Sequence, residues 1–446
     1  MEEVLVTVGD GTLRGRREGG LTVLLGVRYA TADRFAPPKP EVAWSGVRDA
    51  LAPRGICPQP PNRKDSSLGP VEDLPATEDC LELTIRTPGA DGARRPVIVF
   101  MHGGSYRTGA SSWSRYSGAR LALEGDAVVV GVTSRLGPLG FLRLPGVSDG
   151  NQGLLDLVEA LRWVRANATF IGGDPDNVTV VGQSSGAHAI AALLGSTALD
   201  DDPPLLRRAV LQSAPLGLGI GDGTRAVRAG RHFRSALGGD PHDASIPQIV
   251  AAQLAAERAL AGPAGLNQAP TFAPAAGVDP LPDAAGWRER CRRRAPGLEV
   301  IIGTARDEMA HFLAGGPISR RIPLAGPALE RLAIRLGTAF VFTRPNARFA
   351  GLLARAGATV FRYRLDPGPF PYLHGASHCV DLPLLFGAEA AWAHAPILAG
   401  RAWERVDADG HEIRGAWLAF AWYGAAGLVG DGWTADGSVR SFPVGG

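Results

Sequence analysis

Ser184 sits at the centre of Gly182-Gln183-Ser184-Ser185-Gly186, a G-x-S-x-G pentapeptide directly after the β-like run 178–181, Val-Thr-Val-Val. A serine hydroxyl becomes a competent nucleophile when a base takes its proton, so a reactive Ser184 requires a histidine and a carboxylate to orient that histidine. The pentapeptide supplies the other requirement. A tight turn from strand to helix holds the serine in strained backbone geometry, and glycine two positions to either side leaves room for it. The small residues 187–194 read as the helix that leaves the turn.

Two stretches can supply the partners, each just beyond a β-like run and in the order serine, acid, histidine. Thr304-Ala305-Arg306-Asp307-Glu308 follows the run 298–303, and His374-Gly375-Ala376-Ser377-His378 follows the run 359–363. Spacing alone leaves Asp307 or Glu308 as the acid and His374 or His378 as the base. Charge that develops on a substrate carbonyl oxygen needs backbone N–H donors, each worth about 2.7–4 kcal/mol where one has been removed. The run 97–101 leads into His102-Gly103-Gly104-Ser105, which resembles the glycine-rich oxyanion loop of lipases and esterases. The N–H groups of Gly104, Ser105 and Ser185 are therefore the expected oxyanion hole.

The elements that must carry these residues are short apolar runs at 97–101, 127–133, 178–181, 209–212, 300–303 and 359–363, several of them separated by helical patterns. Strands of continuous Val and Ile alternating with helices predict an α/β fold with a mostly parallel central sheet covered by helices on both faces. In such sheets the chemistry gathers at the carboxyl ends of the strands. The clearest helix spans 154–170, with Leu154, Leu157, Val158, Leu161 and Val164 on one face and start signals in Asp149-Gly150-Asn151. Residues 216–297 weaken into Ala-, Gly- and Pro-rich sequence and read as a helical insertion over the sheet. Trp417, Phe420, Trp422 and Tyr423 follow helical spacing and read as core.

The whole chain bounds the function further. Its 446 residues carry 46 basic and 44 acidic side chains, a formal net charge of +2, which gives no strong field for a nucleic-acid partner. The densest basic run, 288–294, reads as a solvated helix face. No secretory signal and no apolar stretch of about twenty residues is apparent, so no membrane partner is expected and the chain reads as cytoplasmic. Cys57, Cys80, Cys291 and Cys379 show no metal-ligand spacing, and neither do the histidines. No metal or organic cofactor is expected. Among residues near the motifs, His188 reads as packing beside the helix start, His102 as shaping the oxyanion loop, and Cys379 as a packed thiol.

Several segments together resemble the type B carboxylesterase family, which includes bacterial para-nitrobenzyl esterases and the cholinesterases, over nearly all of the chain. They are Gly26-Val27-Arg28-Tyr29-Ala30 with Arg34-Phe35, Glu78-Asp79-Cys80-Leu81, the loop at His102, Arg135-Leu136-Gly137-Pro138-Leu139-Gly140-Phe141, and Gly150-Asn151-Gln152-Gly153-Leu154-Leu155-Asp156 running on to Gly172-Gly173-Asp174-Pro175 and the pentapeptide. The resemblance implies an α/β-hydrolase fold in a single catalytic domain, 1–446, with the insertion at 216–297 and a shortened lid region at 309–357 forming a lid or gorge wall. It aligns Glu308 with the family's triad acid and His378 with its base. It also implies the ion pairs Arg34–Glu78 and Arg135–Asp156, and a disulfide loop between Cys57 and Cys80, though these would be reduced in a cytoplasmic protein.

Where the chain departs from the family, it departs at the site. Ser105 replaces a glycine, which narrows the space for a bulky alcohol group, and Gln183 replaces a glutamate, which argues against a cationic substrate. The 57–80 segment contains no tryptophan, so the choline-stacking residue is missing. The expected activity is a serine carboxylesterase acting on a small-molecule ester. An acyltransferase or cyclase using the same triad is the alternative, and a non-catalytic binding module is the lesser one.

Overall fold

The protein is described by a computed structural model for residues 2–61, 65–201, 203–261, 269–314, 325–368, 374–429 and 432–445. Twelve strands build the central sheet. In chain order they are β1 (Glu2–Val8), β2 (Gly11–Glu18), β3 (Leu21–Arg28), β4 (Val47–Asp49), β5 (Glu82–Thr87), β6 (Arg95–Met101), β7 (Val128–Thr133), β8 (Gly173–Gln183), β9 (Arg208–Gln212), β10 (Glu299–Ala305), β11 (Thr359–Pro367) and β12 (Val439–Val444). Across the sheet the order is β1-β2-β3-β5-β7-β6-β8-β9-β10-β11-β12, with β4 beside β2. From β7 to β12 every neighbouring pair is parallel. The sheet is therefore mostly parallel, as the alternating pattern predicts. The runs β1, β2, β3 and β5 add an antiparallel flank that the sequence reading did not identify.

Every residue of β6 and β7 is buried, as strands covered on both faces must be. Alternate side chains serve opposite faces. Val97, Val99 and Met101 join the core that holds Leu154, Leu157, Val158 and Leu161, whereas Ile98 and Phe100 join the core that holds Trp417 and Phe420. Those aromatic residues belong to the helix Trp403–Tyr423, on which Trp422 is half-buried and Tyr423 is 65% exposed rather than core, although Phe420 and Ala421 in the same last turn are buried.

The helix predicted at 154–170 runs Gln152–Asn167 and tightens into a 3₁₀ turn at Ala168–Ile171. Asn151 precedes it but caps nothing with its side chain. Instead its Nδ2 donates to the carbonyls of Ala275 and Val278, and its Oδ1 accepts from the Ala275 N–H, which ties the insertion to the sheet domain. Within 216–297 lie the helices Gly223–Leu237, Ile246–Leu260 and Ala284–Arg294, with residues 262–268 outside the described residues. Within 309–357 lie Ala310–Leu313, Gly326–Thr338 and Arg344–Arg355, the last two joined by a π-helical turn at Ala339–Thr343; residues 315–324 are outside the described residues.

The basic run does more than face water. Arg290 and Arg294 both reach Asp200, and Arg294 also donates to carbonyls at the end of the helix Ser185–Leu194. The two ion pairs form: Arg34 Nε lies 2.9 Å from Glu78 Oε2, and the fully buried Asp156 takes Arg135 Nε at 2.9 Å and Nη2 at 2.6 Å. Cys57 and Cys80 are buried free thiols, and Cys57 Sγ accepts from the Leu136 N–H at 3.2 Å. Among the described residues no helix is long and apolar enough to cross a membrane.

Candidate active site

Strand β8 ends at Gln183 and the helix Ser185–Leu194 begins two residues later, leaving Ser184 alone to make the turn. Its backbone takes φ 55° and ψ −118°, a strained conformation for a residue with a side chain. The flanking glycines make the turn possible by close approach. A Cβ on Gly182 would lie 2.6 Å from the Ala187 nitrogen, and one on Gly186 would run into the Met101 carbonyl of β6. The turn is held by the Ser184 N–H donating to the Gln212 carbonyl at 2.9 Å.

Three side chains from the carboxyl ends of parallel strands meet at this turn. Ser184 Oγ lies 2.8 Å from His378 Nε2, and His378 Nδ1 lies 2.6 Å from Glu308 Oε2. Glu308 and His378 are almost fully buried, while Ser184 is 8% exposed. The imidazole is boxed by Phe312 and Phe342, with ring centroids 5.3 and 5.2 Å away. The neighbouring candidates are placed differently. Asp307 turns aside with its N–H on the Ala376 carbonyl, and His374 is half-buried with burial lowering its pKa. Cys379 packs against Gln183, its Sγ 3.6 Å from Nε2.

Burial pushes the Glu308 carboxyl up from the usual range, opposed by the Ser213 hydroxyl and by the Ala305 N–H, which donates to Oε1 at 2.8 Å. A second carboxyl, Asp381, is fully buried close by and takes Gln212 Nε2 at 3.2 Å. Burial first, and then the charge of Glu308, push Asp381 up to about 8. Two like charges this close in a dry interior cannot both persist, and Glu308 has the imidazole in addition to its other donors. Burial raises Glu308 and Asp381 alike, to about 8 each, and the imidazole beside Glu308 makes Asp381 the carboxyl that takes up a proton more readily. The sequence reading gave no role to Ser213 or Asp381. Ser213 was findable as the residue just past the carboxyl end of a β-like run; Asp381, in the Asp381-Leu382-Pro383 segment that the family resemblance shares, carried no sign of its place beside Glu308.

The glycine-rich loop follows β6. Gly104, Ser105 and Tyr106 all have positive φ, at 120°, 60° and 56°, and the Arg107 and Thr108 N–H groups fold back onto the Gly104 carbonyl. Ser185 opens its helix, so its N–H is one of the donors that a helix leaves without an internal partner. His102 is buried with Nδ1 2.7 Å from the Gly103 carbonyl, and burial lowers its pKa. His188 does more than fill space. Its Nε2 lies 3.0 Å from the Gly219 carbonyl and its Nδ1 2.7 Å from Tyr106 Oη, a link absent from the sequence reading.

Two cavities share Ser105, Tyr106, Ser184 and His378 in their walls. One is about 320 Å³ and reaches Gln183, Trp113, Arg115 and the insertion residues Glu257 and Arg258. The other is about 100 Å³ and is lined by Ser185 and by apolar side chains including Leu218, Met309, Phe312, Val341 and Phe342. The hydroxyl thus lies between a larger chamber with several charged side chains and a smaller, mostly apolar one that also includes Arg225 and His188, with room for a substituent on each side of a carbonyl.

The carboxylesterase family model matches residues 2–322. A Rhodococcus erythropolis protein named "Probable N-octanoylanthranilate hydrolase" is 42% identical over 424 residues, spanning 93% of this chain and 92% of its own. The para-nitrobenzyl esterase of Bacillus subtilis is 31% identical over 472 residues, spanning 98% of this chain and 93% of its own. A solved structure of a thermophilic PNB esterase is 30% identical with a TM-score of 0.82, covering 96% of this chain and 93% of that one. Such similarity, sustained along nearly the full length of ester hydrolases, places the chain in the carboxylesterase family as a carboxylic ester hydrolase of the α/β-hydrolase fold.

Proposed function

We propose that Ser184 is the nucleophile, His378 the general base and acid, and Glu308 the carboxylate that orients the imidazole, with the N–H groups of Gly104, Ser105 and Ser185 receiving the oxyanion. The observation that carries this reading is the continuous chain from Ser184 Oγ through His378 to Glu308, at 2.8 and 2.6 Å. Ser184 Oγ bonds to the ester carbonyl carbon as its proton passes to His378 Nε2. The tetrahedral intermediate collapses, the carbon–oxygen bond to the alcohol breaks, and Nε2 returns the proton to the leaving oxygen. Water repeats the sequence on the acyl-enzyme and releases the acid. Glu308 keeps the Nδ1 hydrogen in place and stabilises the imidazolium that forms in each step.

The substrate is a small-molecule ester seated across the two chambers, whose walls come partly from 216–297 and 309–357, consistent with reading these stretches as insertion and lid within one catalytic domain. Treatment with diethyl 4-nitrophenyl phosphate tests the nucleophile. Peptide mapping is expected to find one diethylphosphoryl group, on Ser184, with stoichiometric loss of esterase activity. Inactivation with the label elsewhere would overturn the assignment.

A further inference from the structure

The larger chamber has an uneven charge lining. Glu257 is the one carboxylate on its described wall, and it is already engaged by Arg107, whose Nε lies 3.0 Å from both carboxylate oxygens. Two further guanidinium groups line the same wall, Arg115 and Arg258. Arg115 is 2% exposed, flanked by Trp113 and Trp392, with Nη2 donating to the Gly69 and Pro70 carbonyls at 2.8 and 2.7 Å. Arg258 is exposed, one residue beyond Glu257 on the helix Ile246–Leu260. Among the described residues, neither forms an ion pair. Among the described residues the chamber thus carries two positive charges with no carboxylate partner, while the adjoining chamber is mostly apolar, with Arg225 and His188 on its wall.

A buried guanidinium without a carboxylate partner projects its charge into any adjacent space that water fills poorly, and an exposed one at the same wall adds a mobile fork of donors suited to a carboxylate. A neutral ester makes no use of either. We propose that the larger chamber is an anion subsite and that the preferred substrates are amphiphilic: esters with a carboxylate on one side of the scissile carbonyl and an apolar group on the other. This deepens the ester-hydrolase reading and rests on it. Gln183, on the same wall, is neutral and adds no second carboxylate to that of Glu257.

The test compares matched substrates that differ in charge alone. One pair is 4-carboxyphenyl and 4-carbamoylphenyl butanoate, with the charge on the leaving group; the other is the phenyl half-ester of adipic acid and its terminal amide, with the charge on the acyl group. For each pair the ratio of kcat/KM, carboxylate over carboxamide, is measured in wild type, Arg258→Gln and Arg115→Gln. Dividing variant ratio by wild-type ratio cancels intrinsic reactivity. In at least one pair this quotient is expected to fall about tenfold for each arginine removed, and the wild-type ratio to fall with added salt. Arg258 is exposed, so its variant keeps the test decisive if Arg115→Gln fails to fold. Quotients near one in both pairs, with the carboxamide esters still hydrolysed, would overturn the subsite alone. Hydrolysis of none of the four esters by wild type would overturn the ester-hydrolase reading together with it.

Discussion

Tyr106 shows how much one residue outside the proposed triad is asked to do. It and Ser105 adopt positive φ in succession, which side-chain-bearing residues avoid at a cost on the order of 1 kcal/mol each. The Gly219 carbonyl can only accept, so His188 carries its hydrogen on Nε2 and its Nδ1 accepts from Tyr106 Oη. Burial lowers the pKa of His188 and keeps it in that neutral form. The link pins the strained loop to the helix that begins with Ser185, so it sets the spacing between the proposed oxyanion donors. Tyr106→Phe is expected to lower kcat about tenfold with KM changed less than about twofold, since these donors matter most when charge has developed. Unchanged kcat would remove Tyr106 from this role. Sequence spacing exposed Ser184 because its glycines are local, but it left Asp307 level with Glu308 and His374 level with His378. The resemblance to a family separated them in the reading. The Tyr106–His188 contact spans 82 residues, and nothing in either residue's surroundings in the chain announces the other.

At the scale of elements, β8, β9, β10 and β11 deliver Ser184, Ser213, Glu308 and the His378 loop to one edge of the sheet, in keeping with the rule that parallel strands gather chemistry at their carboxyl ends. The helix Asp381–Phe386 brings its first residue near Glu308, the proposed triad acid. With an unfolded pKa near 3.9 and a folded value of about 8, Asp381 binds more proton in the folded state between about pH 4 and 8. Its contribution to stability is therefore full below about pH 4 and is lost as pH rises through about 8. Asp381→Asn mimics the neutral acid and escapes that loss. Its melting temperature relative to wild type is expected to rise steadily from pH 5 to 8; a constant difference across that range would mean that Asp381 is ionised. The elements themselves were largely legible. The Val-rich parallel strands announced themselves as apolar runs; β2 mixes Arg, Glu and Gly and offers none, whereas β3 is itself an apolar run over 21–27 that the reading passed over. Asn151 looked like a helix cap because the local pattern fits one, but tertiary partners at Ala275 and Val278 claim its amide.

Over the whole molecule, the sheet separates two apolar cores and holds the proposed reacting groups at a fixed edge, while residues of 216–297 line both chambers and residues of 309–357 line the smaller one. Composition and net charge spoke only to partner classes they disfavour: the charge that the anion-subsite proposal invokes is local to one chamber and vanishes in a total of +2. The central claim concerns the hydroxyl at the junction of the chambers. It is tested most directly by the kcat/KM of Ser184→Ala for 4-nitrophenyl butanoate, with circular dichroism to confirm the fold. The account predicts a native spectrum and a loss of roughly 10⁴-fold or more, because the serine, histidine and acid act as one unit. A folded variant that keeps turnover within about tenfold of wild type would contradict it.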